Sequence, residues 1–197
     1  MEVDDDRQLV HAIAAEDQSA FEVLYTSYSS KVYNTLLSYT RSEEDAEELL
    51  QDVFVTVYES AGKFRFDSSV STWLYRITVN KALDFLRKTK TAKRSGVFIS
   101  LFKKDSGEVA VDAADFDHPG VKLENVENAR LLFRVIDELP DNQKTAFILT
   151  QIEGLPQAEA GEVMKISRKA VESLLQRAKS NLRKALEKYY PDRGIKH

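Results

Sequence analysis

The sequence predicts an all-α protein in which two small helical domains are joined by a flexible linker, the second domain containing a helix-turn-helix. Apolar residues recur at helical spacing on both sides of a middle stretch, residues 93–122, in which that spacing is lost and Gly, Asp, Ser and a proline accumulate. Near the C-terminus, a turn of three residues separates two helical patterns. The predicted domains are therefore residues 1–92 and 123–197.

The composition supports a folded protein and excludes several kinds of site. With 197 residues, 43% of them hydrophobic, the chain can bury one core or two small ones. Absence of cysteine excludes disulfides and thiolate metal sites. No apolar run approaches the roughly 18 residues of a membrane span, and the acidic N-terminus is unlike a signal peptide. These features predict an intracellular protein without membrane insertion.

The charged residues are distributed in four blocks of alternating sign. Residues 1–62 carry 3 Lys and Arg against 14 Asp and Glu, and residues 63–104 carry 11 against 2. Residues 105–139 are again acidic, with 3 against 9, and residues 140–197 are basic, with 11 against 7. The net charge of -4 therefore hides two basic blocks that are suited to nucleic acid.

The first domain begins with two predicted helices between Leu9 and Tyr39. Asp17, Gln18 and Ser19 provide the cap of the second helix. Aromatic residues at helical spacing along that helix favour core packing over a ligand platform: Phe21, Tyr25, Tyr28 and Tyr33.

A third helix is predicted to start at Ser42, where capping-box spacing and three carboxylates favour an N-terminus, and to end at Gly62. One face is apolar: Ala46, Leu49, Leu50, Val53, Phe54, Val57 and Ala61. Another is an anionic stripe with one apolar residue: Glu48, Asp52, Val55 and Glu59. Such a stripe is either a solvated face or a docking surface for a basic partner helix.

The stretch from Lys63 to Arg94 interleaves cations with aromatic residues, which suits a nucleic-acid strand because cations meet phosphates and aromatic rings accept unstacked bases. A loop containing Phe64 and Phe66, expected to be exposed, precedes a helix from about Val70 to Lys88. Donors and acceptors line one face of this helix: Thr72, Arg76, Asn80, Asp84 and Arg87. Trp73, beside that face, is either a core residue or a wedge against a base pair.

Residues 93–122 are predicted to form a linker with an acidic middle. The apolar patch Val97 to Phe102 is too short for a domain. We expect it to be an extended segment that packs on a neighbour or lies in a partner's channel.

The second domain is predicted to contain four helices. The first runs to Leu139, the second has Pro140 in its first turn and stops at Gly154, and a short helix spans Gln157 to Met164. After a turn at residues 165–167, Ser167 caps a helix that reaches about Lys188. This pattern is typical of a helix-turn-helix, the alternative being an ordinary helical hairpin with a basic, solvated face.

The last helix has distinct inward and outward residues. Its predicted inward side chains are Val171, Leu174, Leu175 and Ala178. The outward ones suit a major groove: Arg168, Lys169, Glu172, Ser173, Gln176 and Arg177. Glu172 would be repelled by DNA unless it accepts from cytosine N4, so it favours sequence-specific recognition.

Three segments resemble the extracytoplasmic-function (ECF) sigma factors, small two-domain members of the bacterial sigma-70 superfamily. DAEELLQDVFVTVY (45–58) resembles the segment that docks on the clamp helices of the largest polymerase subunit. FDSSVSTWLYRITVNKALDFLRK (66–88) resembles the promoter-melting and minus-10 helix, with its W-L-x-x-I-x-x-N-x-x-x-D-x-L-R skeleton. LPDNQKTAFILTQIEGLPQAEAGEVMKISRKAVESLLQRAKSNLRKAL (139–186) resembles the minus-35 domain.

The resemblance implies a function and site residues. The polymerase-binding residues would be Asp45, Glu48, Gln51, Asp52, Val55 and Glu59. The minus-10 DNA-binding residues would be Lys63, Phe64, Phe66, Asp67, Ser68, Ser69, Thr72, Trp73, Arg76, Asn80, Lys81, Asp84 and Arg87, with the loop from Phe64 to Ser69 forming a pocket for a flipped base. The minus-35 DNA-binding residues would be Lys165, Arg168, Lys169, Glu172, Ser173, Gln176 and Arg177.

The implied partners are promoter DNA and core RNA polymerase, through its clamp helices and flap region, with an anti-sigma factor as a candidate partner and the bacterial cytoplasm as the location. The linker would thread near the polymerase active centre. No cofactor, metal site, catalytic residue or small-molecule substrate is expected, because the histidines are scattered and no phosphate loop is present.

The sequence departs from the family pattern at two places. Ala160 and Gly161 stand where Ile-Ala is usual, and Glu172 stands where Lys or Arg is frequent. Glycine at position 161 is expected to weaken its helix by roughly 1 kcal/mol relative to alanine. The alternatives to a sigma factor are a stand-alone helix-turn-helix regulator and a helical protein-interaction module without a nucleic-acid role.

Overall fold

The computed structural model describes residues 3–101 and 126–189, with side chains for residues 5–92 and 131–189. Within these residues every regular element is helical, in agreement with the predicted all-α fold. The first half contains α1 (Val3–Ala14), α2 (Gln18–Thr40), α3 (Glu43–Ser60) and α4 (Val70–Leu101). The second half contains α5 (Val126–Asp137), α6 (Asp141–Phe147), α7 (Gln157–Met164) and α8 (Arg168–Glu187).

The predicted starts of the second and third helices are confirmed by their caps, whereas α1 begins at Val3, before the predicted Leu9. The Asp17 carboxylate accepts hydrogen bonds from the backbone N–H of Ser19 and Ala20, at 2.9 and 3.2 Å, and so begins α2. The Ser42 hydroxyl accepts from the backbone N–H of Asp45 at 3.2 Å and begins α3. Each cap satisfies a donor that the first helical turn leaves without a backbone partner.

Two predicted helix ends differ from the structure. Helix α3 ends at Ser60 and continues as a 3₁₀ turn, Ala61–Lys63, so Gly62 lies inside that turn. Helix α4 extends to Leu101, whereas the loss of apolar spacing predicted a linker from residue 93 and an extended patch from Val97. Each added residue of an established helix gains a backbone hydrogen bond, which does not require an apolar face. The remaining linker prediction, residues 102–122, lies outside the described residues.

In the second half, Pro140 is the N-cap of α6 and not a member of its first turn. The following residues, Ile148–Ile152, form a π-helical turn, and the chain reverses at Gly154, which has a φ of 73°. The short helix α7 and the turn at 165–167 have the predicted bounds. Ser167 caps α8 through the backbone N–H of Ala170 at 3.2 Å.

The two halves share a hydrophobic core. Tyr39 of α2 is 1% exposed and donates to the Thr145 hydroxyl of α6 at 3.0 Å. Tyr75 and Val79 of α4 pack in a cluster with buried residues of the second half, among them Leu175. Helix α4 therefore belongs to both halves, and its packing against α7 decides which of its side chains remain accessible.

Candidate nucleic-acid and protein interfaces

The anionic stripe of α3 is exposed, because the apolar face of the helix packs against the core. Val53 and Val57 are fully buried, and Leu50 is half-buried. Of the residues predicted to bind polymerase, Asp45 is half-buried and the others are exposed: Glu48, Gln51, Asp52, Val55 and Glu59.

Two aromatic side chains beside the anionic stripe are exposed, which the sequence did not predict. Tyr25 and Tyr58 are 39% and 45% exposed, although the stripe that contains Tyr25 predicted core packing. Their rings pack on half-buried or buried neighbours, Tyr25 on Phe54 at 4.7 Å and Tyr58 on Phe21 at 5.6 Å between centroids. Tyr28, in the same stripe, is 8% exposed as predicted. Val55, 56% exposed, extends the apolar part of the surface, so the α3 face is amphipathic rather than only anionic.

The predicted loop phenylalanines are half-buried, which corrects the expectation that they are exposed. Phe64 stacks on Trp73 with ring centroids 4.6 Å apart and an interplanar angle of 16°. Phe66 contacts Phe64 at 4.6 Å and stacks on His11 at 4.3 Å. We call His11, Phe66, Phe64 and Trp73 the ring stack. It joins α1, the loop and the start of α4.

Phe66 adopts a left-handed backbone conformation, with a φ of 58°. This conformation is uncommon for a residue with a large side chain, so neighbouring contacts must hold it. The ring contacts with His11 and Phe64 supply such support. The loop is recognisable in the sequence by its aromatic, serine and aspartate residues. This composition does not indicate that the loop contacts α1.

The polar face of α4 is only partly accessible. Three of its predicted side chains are exposed: Asn80, Asp84 and Arg87. The Lys81 Nζ atom lies 3.7 Å from Oδ2 of Asp52 on α3. Thr72 is 3% exposed, whereas the prediction placed it on an open polar face. It is buried because its backbone N–H donates to the Ser69 hydroxyl at 3.0 Å and helix α7 packs over this turn.

Arg76 is the side chain of this face that the packing engages most. Its Nε and Nη2 atoms donate to the backbone carbonyl of Glu162, at 3.1 and 2.8 Å, and Nη1 donates to the Ser68 hydroxyl at 3.1 Å. The Glu162 carbonyl lies in the last turn of α7, where a cation is favoured by the helix dipole. Arg76 therefore caps α7 from the other half of the molecule.

A cleft of about 570 Å³ lies between the loop and α7. Its wall in the first half presents two arginines, the Phe66 ring, hydroxyls and a carboxylate. The opposite wall carries Glu159 and Glu162 of α7. The residues on the wall of the first half are Arg7, Phe66, Asp67, Ser68, Ser69, Thr72 and Arg76.

Gly161 is required by the helix-turn-helix. A Cβ atom at this position would lie 2.8 Å from the backbone carbonyl oxygen of Ile166, closer than side chains are found. The Ile166 N–H also donates to the Gly161 carbonyl at 2.9 Å, and Lys165 between them has a φ of 55°. Glycine therefore permits the tight approach of the turn. The expected weakening of α7 relative to alanine is outweighed by this steric requirement.

The outward face of α8 is as predicted. Arg168, Lys169, Glu172, Gln176 and Arg177 are exposed, Ser173 is half-buried, and Lys165 of the turn is exposed. The inward side chains Val171, Leu175 and Ala178 are buried, and Leu174 is half-buried. A basic helix with its first two turns open, following a short helix at a tight turn, fits the groove-recognition geometry.

Charged groups at the junction of the halves are buried or half-buried. The Asp137 carboxylate accepts from the Lys144 ammonium at 2.5 Å and from the Arg41 guanidinium of the first half. Burial lowers the pKa of Lys144, and the nearby cation Arg41 acts in the same direction. Burial raises the pKa of Glu153 to about 7, which a hydrogen bond with Thr35 partly opposes. These groups couple the junction to pH.

Among the described residues, no group of three or more His, Cys, Asp or Glu side chains has an arrangement for holding a metal ion. In the same part of the chain, no helix is long and apolar enough to span a membrane.

Two family models match the chain: Sigma-70 region 2 over residues 24–92 and Sigma-70, region 4 over residues 129–182. The RNA polymerase sigma-H factor of Pseudomonas aeruginosa is 31% identical, over 92% of this chain and 94% of that protein. The ECF RNA polymerase sigma-E factor of Haemophilus influenzae is also 31% identical, over 92% and 95%.

Two solved structures share the fold. The structure of CnrH in complex with the cytosolic domain of CnrY has a TM-score of 0.66 at 24% identity, covering 93% of this chain and 97% of that one. The sigma factor RpoE of Bartonella quintana, in complex with the anti-sigma factor NepR, has a TM-score of 0.56 at 18% identity. That match covers 85% of this chain and 96% of the other.

Proposed function

The chain belongs to the ECF family of RNA polymerase sigma factors, and from this we propose how its surfaces take part in promoter-directed transcription initiation. As a sigma factor, it binds core RNA polymerase, recognises the minus-35 and minus-10 promoter elements and promotes DNA melting. The observation that carries the assignment of surfaces is the separation of charge, with an acidic face on α3 and basic faces on α4 and α8.

The α3 face is the polymerase docking surface, and we add Tyr25 and Tyr58 to the predicted stripe because both rings are accessible beside it. A basic helical partner such as the clamp helices complements the carboxylates, while the exposed rings and Val55 offer apolar contact area. Residues 1–92 thus combine polymerase docking with minus-10 recognition.

The loop from Phe64 to Ser69 and the exposed residues of α4 contact the melted nontemplate strand. The ring stack holds the loop, and the cleft beside it offers hydroxyls, a carboxylate and cations to a flipped base and its phosphates. In the arrangement of this structure α7 occupies part of this surface through Arg76 and Thr72. Minus-10 binding therefore requires α7 to move away from α4.

The second domain, residues 123–197, recognises the minus-35 duplex through the exposed start of α8. The chain supplies binding and positioning and no catalytic group, because the phosphodiester chemistry belongs to the core enzyme. We place its action in the bacterial cytoplasm and include an anti-sigma factor among its partners.

Run-off transcription with purified core polymerase on a promoter library tests this function. We expect initiation that depends on the chain and enriches a two-part promoter sequence. Initiation no greater than with core enzyme alone would refute it.

Charge reversal on α3 distinguishes the sigma factor from a stand-alone helix-turn-helix regulator. Glu48→Lys with Asp52→Lys is expected to abolish promoter-directed transcription, because two carboxylates of the docking surface are replaced by cations. A regulator that binds DNA unaided would keep its operator affinity in this variant. Exchanging Glu187, an exposed carboxylate at the end of α8 outside these surfaces, for Lys is the matched control.

The salt dependence of DNA binding distinguishes a sigma factor from a helical protein-interaction module. DNA affinity of the polymerase complex is expected to fall steeply with salt because phosphate contacts release counterions. Flat salt dependence would contradict the DNA-binding role of the chain.

A further inference from the structure

Helix α1 lies against the loop that precedes α4, and its own residues are outside the range matched by the region 2 family model, which begins at residue 24. Val10 and Ile13 of α1 are 0% and 2% exposed, so the helix is firmly packed. The buried Asp6 carboxylate accepts a hydrogen bond from the Tyr28 hydroxyl of α2. These contacts fix the rotation of α1 about its axis.

The fixed rotation presents Arg7 and His11 to the loop. The two residues are four positions apart and thus share one helical face. The His11 ring stacks on Phe66 at 4.3 Å, and the Arg7 guanidinium carbon lies 5.9 Å from the centroid of the same ring. Both residues are exposed, so the face that contacts Phe66 is also open to a ligand at the cleft.

The composition of the cleft suits a nucleotide. Arg7 and Arg76 line the same wall as the Phe66 ring, with serine hydroxyls between them. Guanidinium groups bind phosphates, and hydroxyls and carboxylates meet the edges of a base. In this structure the wall opposite the arginines is anionic, since Glu159 and Glu162 line it. An anionic strand that replaces α7 would meet the same cations.

We propose that α1 is part of the melted-strand site: Arg7 binds a phosphate of the single-stranded nontemplate DNA, and His11 is a positioning residue that holds Phe66 for base contact. The proposal rests on the sigma function given above. It adds a DNA contact from a helix to which neither the sequence pattern nor the family model assigns a role.

The Arg7 contact is tested with the holoenzyme and a fork-junction DNA whose nontemplate strand is single-stranded and carries the promoter sequence enriched in the run-off experiment. Arg7→Gln is expected to weaken binding several-fold and to reduce the slope of log affinity against log salt by about 0.7, the value for one phosphate of a single strand. Lys31→Gln, at an exposed cation on α2 away from the cleft, is expected to leave the slope unchanged. An unchanged slope and affinity in Arg7→Gln would overturn the contact.

The positioning role of His11 is tested by replacing the ring and then restoring it. His11→Ala is expected to weaken binding of the fork-junction DNA by roughly 2- to 10-fold, the range for one aromatic pair, and His11→Phe to restore it. A 2-aminopurine at the flipped position reports base extrusion directly. Wild-type affinity and fluorescence in His11→Ala would overturn this role, and so would a failure of His11→Phe to restore them while its urea midpoint matches the wild type.

The outcomes separate this proposal from the sigma function. If wild-type holoenzyme binds the fork and initiates while both variants behave like wild type, only the role of α1 is refuted. If wild-type protein neither binds nor initiates with core enzyme, the sigma function itself is refuted. Binding of a fully duplex minus-35 fragment should be unaffected in both variants, because α8 lies outside the changed contacts.

Discussion

The two candidate DNA-binding regions of this chain are constructed in different ways. The minus-35 region depends on one element, α8, whose outward side chains are exposed along its first two turns. The minus-10 region is composite: α1, the loop and α4 each contribute to the ring stack, and α7 covers part of it. A duplex groove accepts the side of a single helix, whereas an unstacked strand needs ring faces and cations gathered from several elements.

The largest effect is expected when the backbone of the minus-35 region alone is disturbed. Gly161→Ala is expected to destabilise the second half by up to about 3 kcal/mol, because the added Cβ would lie 2.8 Å from the Ile166 carbonyl oxygen. Urea unfolding measures the loss, and minus-35 binding should fall with it.

Gly62→Ala is the matched control in the first half. Its added Cβ would lie 3.9 Å from the Ala14 Cβ, an ordinary contact, so a small change in the free energy of unfolding is expected. Equal losses in the two variants would contradict the steric requirement at Gly161.

The next largest expected effect is a change of the free energy of unfolding with pH, which arises at the junction of the two halves. The pKa of Glu153 is raised by burial from 4.5 to about 7, so the folded state retains a proton that the unfolded state releases. Its stabilising effect is complete below about pH 4.5 and is lost as the pH rises through 7, with an expected fall in the free energy of unfolding of about 3 kcal/mol.

Glu153→Gln should flatten this part of the pH profile, since the amide does not titrate. Urea titrations at a series of pH values from 5 to 8.5, about 0.5 apart, measure the profile of each protein. A wild-type profile as flat as that of the variant would show that Glu153 does not titrate in this window.

The minus-35 region is built from one element and the minus-10 region from several, and this difference explains how well the sequence predicts each of them. The caps Ser42 and Ser167, the turn at residues 165–167 and the outward face of α8 are local features, and all were predicted correctly. Local signals suffice there because the side chain and its partner are within a few residues.

The burial of Thr72, the stacking of Phe64 on Trp73 and the capping of α7 by Arg76 were not predicted. These contacts join residues up to 90 positions apart, and helical periodicity along the sequence does not indicate them. Gly161 was interpreted as a weakness because the approach of the Ile166 carbonyl is a tertiary feature of the turn. The predicted three-residue turn at 165–167, where Lys165 adopts the left-handed region, is the sequence signal that indicates a close backbone approach.

The caps provide a matched pair of smaller perturbations. Ser42→Ala and Ser167→Ala are each expected to cost about 1 kcal/mol of stability, because each removes one side-chain acceptor at a helix start. Their effects on function should differ. Ser42→Ala is expected to weaken polymerase binding, measured by competition for core enzyme, and Ser167→Ala to weaken minus-35 duplex binding. A reversed pattern would contradict the division of surfaces.

The smallest expected effect is on the salt dependence of DNA affinity when a single phosphate contact is removed. Arg168→Gln should reduce the slope of log affinity against log salt by about 0.9 on duplex minus-35 DNA, and Arg87→Gln by about 0.7 on the single-stranded region. Holoenzyme binding to the two isolated DNA fragments measures both slopes. If either variant changed the slope on both fragments equally, the regions would not be separate.

The insertion of Tyr75 and Val79 of α4 among the buried residues of the second half has a calorimetric consequence. Movement of α7 away from α4 exposes this apolar surface to water, and hydration of apolar surface raises the heat capacity. Binding of the single-stranded minus-10 DNA, which requires α7 to move away from α4, should therefore show a less negative heat-capacity change than its buried area implies. In a variant whose two halves are already separated, the heat-capacity change of binding should equal the value that the buried area implies.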